Sequence, residues 1–203
     1  MRRGAVLLAL AAAGCQQMAI TWFHLTGGDT VEARYKLSDG KLAIVIDDPQ
    51  GLVVVPGTFR ILHEQLEQRF TANGIKSKVV AFEDWNRLRL SDPLYDKMSR
   101  REIGEKVGAD QVLYLNVTDF RLKREPAAPL FQGRFALRVS VYSTERKRDV
   151  RLWPDTSEGE EVVAETKPAP ADEKENTSDI ARQLAIEMSD KVAKLFYAHK
   201  EKD

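Results

Sequence analysis

Few residues in this chain combine the types and spacings that chemistry needs. A zinc site on a helix requires two imidazoles four residues apart, so that both share one face. His63-Glu64-Gln65-Leu66-Glu67 supplies the first imidazole, but position 67 is Glu. Without the second, the stretch reads as a solvated helix face. His24, His63 and His199 lie far apart and show no ligand spacing. No metal and no cofactor is therefore expected. Asp47 and Asp48 close an apolar run, a place where α/β enzymes often hold acids. Pro49 follows them and no partner is evident, so they read as a cap or turn. Gly27-Gly28 precedes no helix signal, so it makes no phosphate cradle. Arg146-Lys147-Arg148 lies between Glu145 and Asp149. That run reads as a solvated hairpin tip rather than a patch for anionic headgroups or a partner. None of these residues earns a catalytic role.

The plainest signal is an address. Arg2 and Arg3 are followed by an uncharged run from Gly4 to Gly14, with Val6, Leu7, Leu8 and Leu10 at its centre. That is a secretory leader, too short to remain as a spanning helix. It ends in Ala12-Ala13-Gly14-Cys15. Small residues just before a cysteine resemble the lipobox of bacterial lipoproteins, although that pattern more often has Leu where Ala12 stands. The resemblance implies cleavage between Gly14 and Cys15, lipidation of Cys15 (thioether-linked lipid and a palmitate-type acyl chain), and a mature chain that begins at Cys15. Each buried methylene strengthens such an anchor by about 0.8 kcal/mol, and two chains make it lasting. The competing readings are an ordinary signal peptide with an incidental cysteine, or a buried N-terminal helix. Cys15 is the chain's one cysteine, which argues against a disulfide role. Once lipidated, it leaves no thiol to act as a nucleophile. Gln16 follows, not Asp. In the sorting pattern of enterobacterial lipoproteins, which this resembles, that implies the outer membrane, facing the periplasm.

Composition excludes some classes. The 203 residues suit one domain with tails. The 31 basic residues less Arg2 and Arg3 leave 29 against 31 acidic, a net of about −2. No basic excess points to nucleic acid. No apolar run after Gly14 approaches membrane-spanning length. The division expected is a signal peptide over 1–14, a lipidated cysteine and tether over 15–40, and one α/β domain over 41–200.

The elements follow from periodicity. Val31, Ala33, Tyr35 and Leu37 alternate with polar residues and suggest an edge strand, in a lead-in that also carries Trp22, Phe23 and Leu25. Leu42 to Ile46 is a continuous apolar run, expected as a central strand buried on both faces. Pro56 suits a first helical turn, and Phe59, Leu62, Leu66 and Phe70 follow at helical spacing until Asn73-Gly74. Lys78 to Phe82 reads as a second strand. Trp85, Leu88 and Leu90 suggest a short helical turn before Pro93. Ser99 to Glu102 is a capping box, opening a helix with Ile103 and Val107 inward and Gly108 at its end. Val112 to Leu122 is a strand; Pro126 and Pro129 mark a loop. Phe135, Leu137, Val139 and Val141 alternate with Arg134, Ala136, Arg138 and Ser140 as an amphipathic strand. Val150 to Trp153 and Glu161 to Thr166 add strands. Lys167 to Glu175 is loop-like. A last helix over about 178–198 carries Ile180, Leu184, Met188, Val192 and Leu195 on one face. The order β-α-β-α-β-β-β-α predicts an α/β, α+β-like fold: a mixed sheet with helices packed on it.

That order is similar to the envelope lipoproteins of the curli-secretion CsgG type, the penicillin-binding-protein activator LpoB type and the N-terminal domain of TolB. The local match is Val107-Gly108-Ala109-Asp110 before the strand Gln111-Val112-Leu113-Tyr114-Leu115, and the likeness runs over roughly 41–197. Gly108 is expected as a left-handed cap, Ala109 as a point of tight packing, and Asp110 as an acceptor for backbone donors. No membrane-inserting hairpin like that of the curli pore is evident. The resemblance implies a scaffold, activator or secretion part, which fold alone does not choose between. The expected function is a membrane-anchored periplasmic lipoprotein, a non-enzymatic protein-binding or assembly module of the cell envelope. The expected partners are the membrane, through Cys15, and another envelope protein. The alternatives are an envelope hydrolase whose site is scattered in sequence, or a transport-system auxiliary lipoprotein.

Overall fold

The computed structural model describes residues 30–122, 130–145, 148–167, 169–170 and 177–200. The leader, Gly14, Cys15, Pro126, Pro129, Arg146 and Lys147 lie outside them. Two compact units divide the chain: 34–197, and a smaller one of 1–33 with 198–203. In the smaller unit, β1 (Thr30–Val31) and β10 (His199–Lys200) pair antiparallel.

The larger unit is a mixed sheet with helices packed on it. Its strands are β2 (Lys41–Asp47), β3 (Lys78–Val79), β4 (Gln111–Arg121), β6 (Arg134–Ser143), β7 (Val150–Trp153) and β8 (Glu160–Glu165). The order is β3-β2-β4-β6, with β7 and β8 both on the far side of β6. β2 is parallel to β3 and β4; the pairs of β6 are antiparallel. β7 meets residues 141–143 and β8 meets 134–139, so the two act as one interrupted edge strand. Two short strands, β5 (Leu130–Phe131) and β9 (Ala169–Pro170), pair separately. Four α-helices lie among the described residues: α1 (Thr58–Ala72), α2 (Phe82–Ser91), α3 (Arg100–Lys106) and α4 (Thr177–Lys194).

Register decides which side chains share a face. Ile44 is level with Leu113, which is level with Val141; Leu115 is level with Val139, and Val117 with Leu137. These side chains are all aliphatic and buried, and Phe135 and Phe120 continue the face edge-to-face. α1 and α4 pack against each other, and α4 lies on β6 and β8. α1 buries Leu62, Leu66 and Phe70; α4 buries Ile180, Leu184, Met188 and Val192. Phe70 meets Phe196 edge-on, with ring centroids 5.9 Å apart. Arg69 ties the two helices together, donating to Ser189 Oγ at 3.0 Å and to Asp190 Oδ1 at 2.6 Å. At Gly133 a Cβ would press on Ile180 and Leu184, so the entry to β6 needs glycine for α4 to lie close.

The Gly108-Ala109-Asp110 corner does what its residues suggest. Gly108 has φ +70° and ends α3. Ala109 is buried, and its N–H donates to the Gly104 carbonyl at 2.8 Å. The Asp110 carboxylate accepts from Lys41 N at 2.7 Å. Its own N–H donates to Lys41 O at 2.8 Å, and its carbonyl accepts from Thr144 N at 3.1 Å. Thr144 Oγ1 adds a bond to Ala109 O at 2.6 Å. The capping box at Ser99 and Glu102 is complete in both directions.

Four expectations change. The body starts at Arg34 rather than at 41 and closes at Tyr197 rather than 200. Arg34 and Tyr35 both donate backbone N–H groups to the Leu195 carbonyl, and Leu37 is buried, so 34–40 packs on the domain and is no tether. Of the edge strand expected over 31–37, Val31 alone is in a strand, β1. Phe82 opens α2 instead of closing β3: it and Trp85 are one helical turn apart and both turn inward. A longer helix therefore replaces the expected turn, which inserts an extra helix into the β-α-β-α-β-β-β-α order. β6 is buried on both faces over much of its length: α3 packs over its end and the turn at Gly159 lies against Ser140.

Leu184 is fully buried under the sheet, whereas Lys191 is half-exposed and reaches only the Val163 carbonyl and Glu187. Leu184→Ala is expected to cost about 2–5 kcal/mol in urea unfolding, and Lys191→Ala less than about 1. Equal small losses would mean that α4 does not seat on the sheet.

Candidate functional site

The functional geometry gathers at the carboxyl end of β2, where the parallel strands open. A cleft of 660 Å³ there is lined by Asp47, Asp48, Phe59, Arg89, Tyr95, Met98, Arg100 and Tyr114, among others. Three elements bring these side chains together. β2 delivers Asp47 and β4 delivers Tyr114, because Val45 and Tyr114 are level across the parallel pair. α3 brings Arg100 down over the same face. α3 can approach because residue 104 is Gly; a Cβ there would overlap Thr144 and Val112.

The charges are largely spoken for. The Tyr114 hydroxyl donates to Asp47. Burial, then the Asp47 bond and charge, push the Tyr114 phenol well up, so it stays protonated. The Arg100 guanidinium sits 4.7 Å from the Tyr114 ring centroid and 5.8 Å from that of Tyr142, a cation–π arrangement. Arg151 donates to the Tyr142 hydroxyl from Nη2 at 3.1 Å. Asp48 Oδ1 and Oδ2 accept from the N–H groups of Leu52 and Val53, both at 2.9 Å, which makes it the turn cap expected of it. Deeper in, Trp85 Nε1 donates to Tyr95 Oη at 2.9 Å, and burial pushes the Tyr95 phenol up to about 12. Arg89 differs. Its Nη2 donates to Asn86 at 3.1 Å, but its Nε is buried without a partner.

A second cleft, of 380 Å³, adjoins the first and shares Val53, Phe59 and Arg89 with it. Val54, Pro56, Arg60, Phe82 and Asn86 complete its walls. A third depression, of 410 Å³, lies on the opposite end of the sheet. Its Asp119, Arg121, Arg134 and Glu165 bond to one another, which leaves little to offer a ligand.

Sequence-flagged residues fare unequally. Cys15 and Gly14 lie outside the described residues. Asp47 enters the cleft. Arg148 is exposed, as a hairpin tip should be. His63 is a correction: Glu64 and Glu67 do face solvent or its margin, but the imidazole is fully buried on α1, edge-to-face with Phe82 at 5.5 Å. Neither ring nitrogen reaches hydrogen-bond geometry with a partner, although the Val80 backbone is near enough to favour the charged form slightly. Among the described residues no group of His, Cys, Asp and Glu is arranged to hold a metal ion. Arg89, Arg100, Tyr95 and Tyr114 were not singled out from sequence. Tyr114 and Tyr142 lie 14 and 42 positions beyond Arg100, so local spacing carries no sign of the stack.

No protein family and no curated protein matches this chain. It is similar at low identity to solved structures that include the following. One is the PelC dodecamer from Paraburkholderia phytofirmans: 15% identity, TM-score 0.40, over 79% of this chain and 92% of that one. Another is the lipoprotein GNA1162 from Neisseria meningitidis: 14% identity, TM-score 0.41, over 76% and 97%. A third is the hypothetical protein CT253 from Chlamydia trachomatis: 11% identity, TM-score 0.37, over 62% and 71%. Likeness at this level assigns neither a family nor a function.

Burial drives the His63 pKa down from 6.5 to about 4. The folded state thus holds neutral imidazole while the unfolded chain takes up a proton below about 6.5. Stability is full above that pH and falls as pH drops toward 4, by on the order of 3 kcal/mol. His63→Leu should flatten the fall in stability between pH 6.5 and 5 in thermal unfolding, leaving below that the smaller loss from carboxylates such as Glu83 and Glu102, whose pKa values are held down. An unchanged slope would place the acid sensitivity elsewhere.

Proposed function

We propose that this chain is a lipid-anchored lipoprotein of the bacterial envelope, a non-enzymatic module that binds another envelope protein from the periplasmic side of the outer membrane. The observation that carries the reading is the leader: Arg2-Arg3, the apolar run, and Ala12-Ala13-Gly14-Cys15 in the required order. A second observation agrees with it: no described helix is long and apolar enough to cross a membrane, so a lipid at Cys15 is the simplest attachment. The CsgG, LpoB and TolB resemblance belongs to this reading as well. Its support is the behaviour of Gly108, Ala109 and Asp110, which occupy the left-handed cap, the tight contact and the backbone-acceptor position.

The cleft supports the non-enzymatic part of this reading. Asp47 is held by Tyr114, Asp48 by its turn, and the Tyr114 phenol is kept protonated. One observation favours the hydrolase reading: Asp47, Tyr114 and Arg100 converge in a single cleft. A general base must be free to take a proton, and this carboxylate already accepts one hydrogen bond from a phenol that does not ionise. The binding reading is therefore preferred.

Cys15→Ser should abolish labelling by fatty-acid probes and move the protein from the membrane to the soluble fraction. If the variant still pellets with membranes as wild type does, something other than the lipid attaches it.

A further inference from the structure

The two adjoining clefts share Val53, Phe59 and Arg89 and run together as one groove, with an exposed valine on its wall. Among the described residues, the large hydrophobic side chains most open to solvent are Val54 at 76%, Leu90 at 71% and Leu94 at 57%. Of these, Val54 lines the groove, while Leu90 and Leu94 line neither cleft. Leu52-Val53-Val54-Val55 is also a strand-forming sequence that belongs to no strand. Leu52 N and Val53 N are used by Asp48, but among the described residues Val54 makes no backbone hydrogen bond.

Charge narrows the occupant. Arg60, Arg89 and Arg100 line the groove. Arg60 is paired with Glu83 and Glu64, and Arg100 is stacked on two tyrosines and lies 4.0 Å from Asp149. Arg89 has no carboxylate within ion-pair distance among the described residues; its guanidinium lies 5.6 Å from the Trp85 ring centroid, its Nη2 donates to Asn86, and its Nε is buried and unpartnered. A guanidinium with no carboxylate partner can still donate charge-assisted hydrogen bonds to a ligand anion. Of the three lining carboxylates, Asp47 and Asp48 already accept hydrogen bonds from Tyr114, Leu52 and Val53, and Asp96 is the third.

We propose that the groove between 52–59 and 82–98 takes an extended peptide segment of another protein, one that places branched aliphatic side chains against Val54 and Phe59 and a carboxylate on Arg89. Its main chain would pair with the free Val54 N–H and C=O in the manner of an added strand. This deepens the reading of the chain as a binding module. Its test does not pass through Cys15, so failure of the groove leaves the anchor standing, and failure of the anchor leaves the groove.

The experiment uses the full chain in detergent and two fluorescein-labelled, acetylated peptides. One is Thr-Val-Glu-Val-Thr; in the other Lys replaces Glu. Fluorescence anisotropy should show the glutamate peptide binding at least tenfold more tightly than the lysine one, as a charge-assisted bond to guanidinium requires. Arg89→Met should close that gap. Val54→Asp, on a side chain that packs on little, should weaken the glutamate peptide at least tenfold. Far-UV circular dichroism confirms that each variant is folded, and Val54→Asp decides the matter if Arg89→Met is not. Binding of neither peptide, equal binding of both, or indifference to Val54→Asp would overturn the proposal.

Discussion

One carboxylate holds the corner from which the sheet is built. Asp110 stands between the end of α3 and the start of β4, and it accepts from the first residue of β2 while its backbone bonds both Lys41 and Thr144. Three strands are thereby set to a common level at one end. The register that follows puts Ile44, Leu113 and Val141 side by side in a buried apolar row. A one-residue slip would turn that face outward. The packing of α1 and α4 depends on this, because the apolar stripe each buries needs a surface that exists only in this register. Two glycines protect the corner. A Cβ at Gly40 would run into the Asp110 carboxylate, and one at Gly104 would hold α3 off Thr144 and Val112.

The other face is where function can reside. α3 covers only its end, over Val112, Tyr114 and Tyr142, and the rest carries Arg134 bonded to Asp119 and Glu165, and Arg138 paired with Glu158. Most of the molecule's polar chemistry is thus committed to holding itself together. What remains open lies around the carboxyl end of β2, with an arginine that has no carboxylate partner and a valine that, among the described residues, has no backbone partner. The proposed binding role draws on that unmet surface.

Legibility in the sequence followed the range of the interactions. Elements defined by their own residues were readable: the apolar run of β2, the capping box at Ser99, the α4 stripe, and the Gly108-Ala109-Asp110 corner. Misreadings came where a neighbour decides. Phe82 looks like the end of a strand because Val79 and Val80 precede it, yet Trp85 one turn later draws it into a helix. His63 looks solvated because Glu64 and Glu67 surround it, but it falls on the same face as Leu66 and Phe70 and meets Phe82. The 34–40 segment looks like a tether because its patterning is weak, and the Leu195 carbonyl that anchors it lies at the other end of the chain. The Arg100–Tyr114–Tyr142 stack has no local signature at all, since its members come from three elements.

The central claim is that the mature protein begins at an acylated Cys15 and presents its domain from a membrane. Intact-mass and peptide mass spectrometry of the protein purified from a Gram-negative bacterium tests it most directly. The account predicts that residues 1–14 are absent and that the N-terminal peptide starts at Cys15, carrying the mass of a diacylglyceryl group and an amide-linked acyl chain. A peptide running unmodified through Gly14-Cys15-Gln16, or a free thiol at Cys15 after cleavage elsewhere, would contradict it.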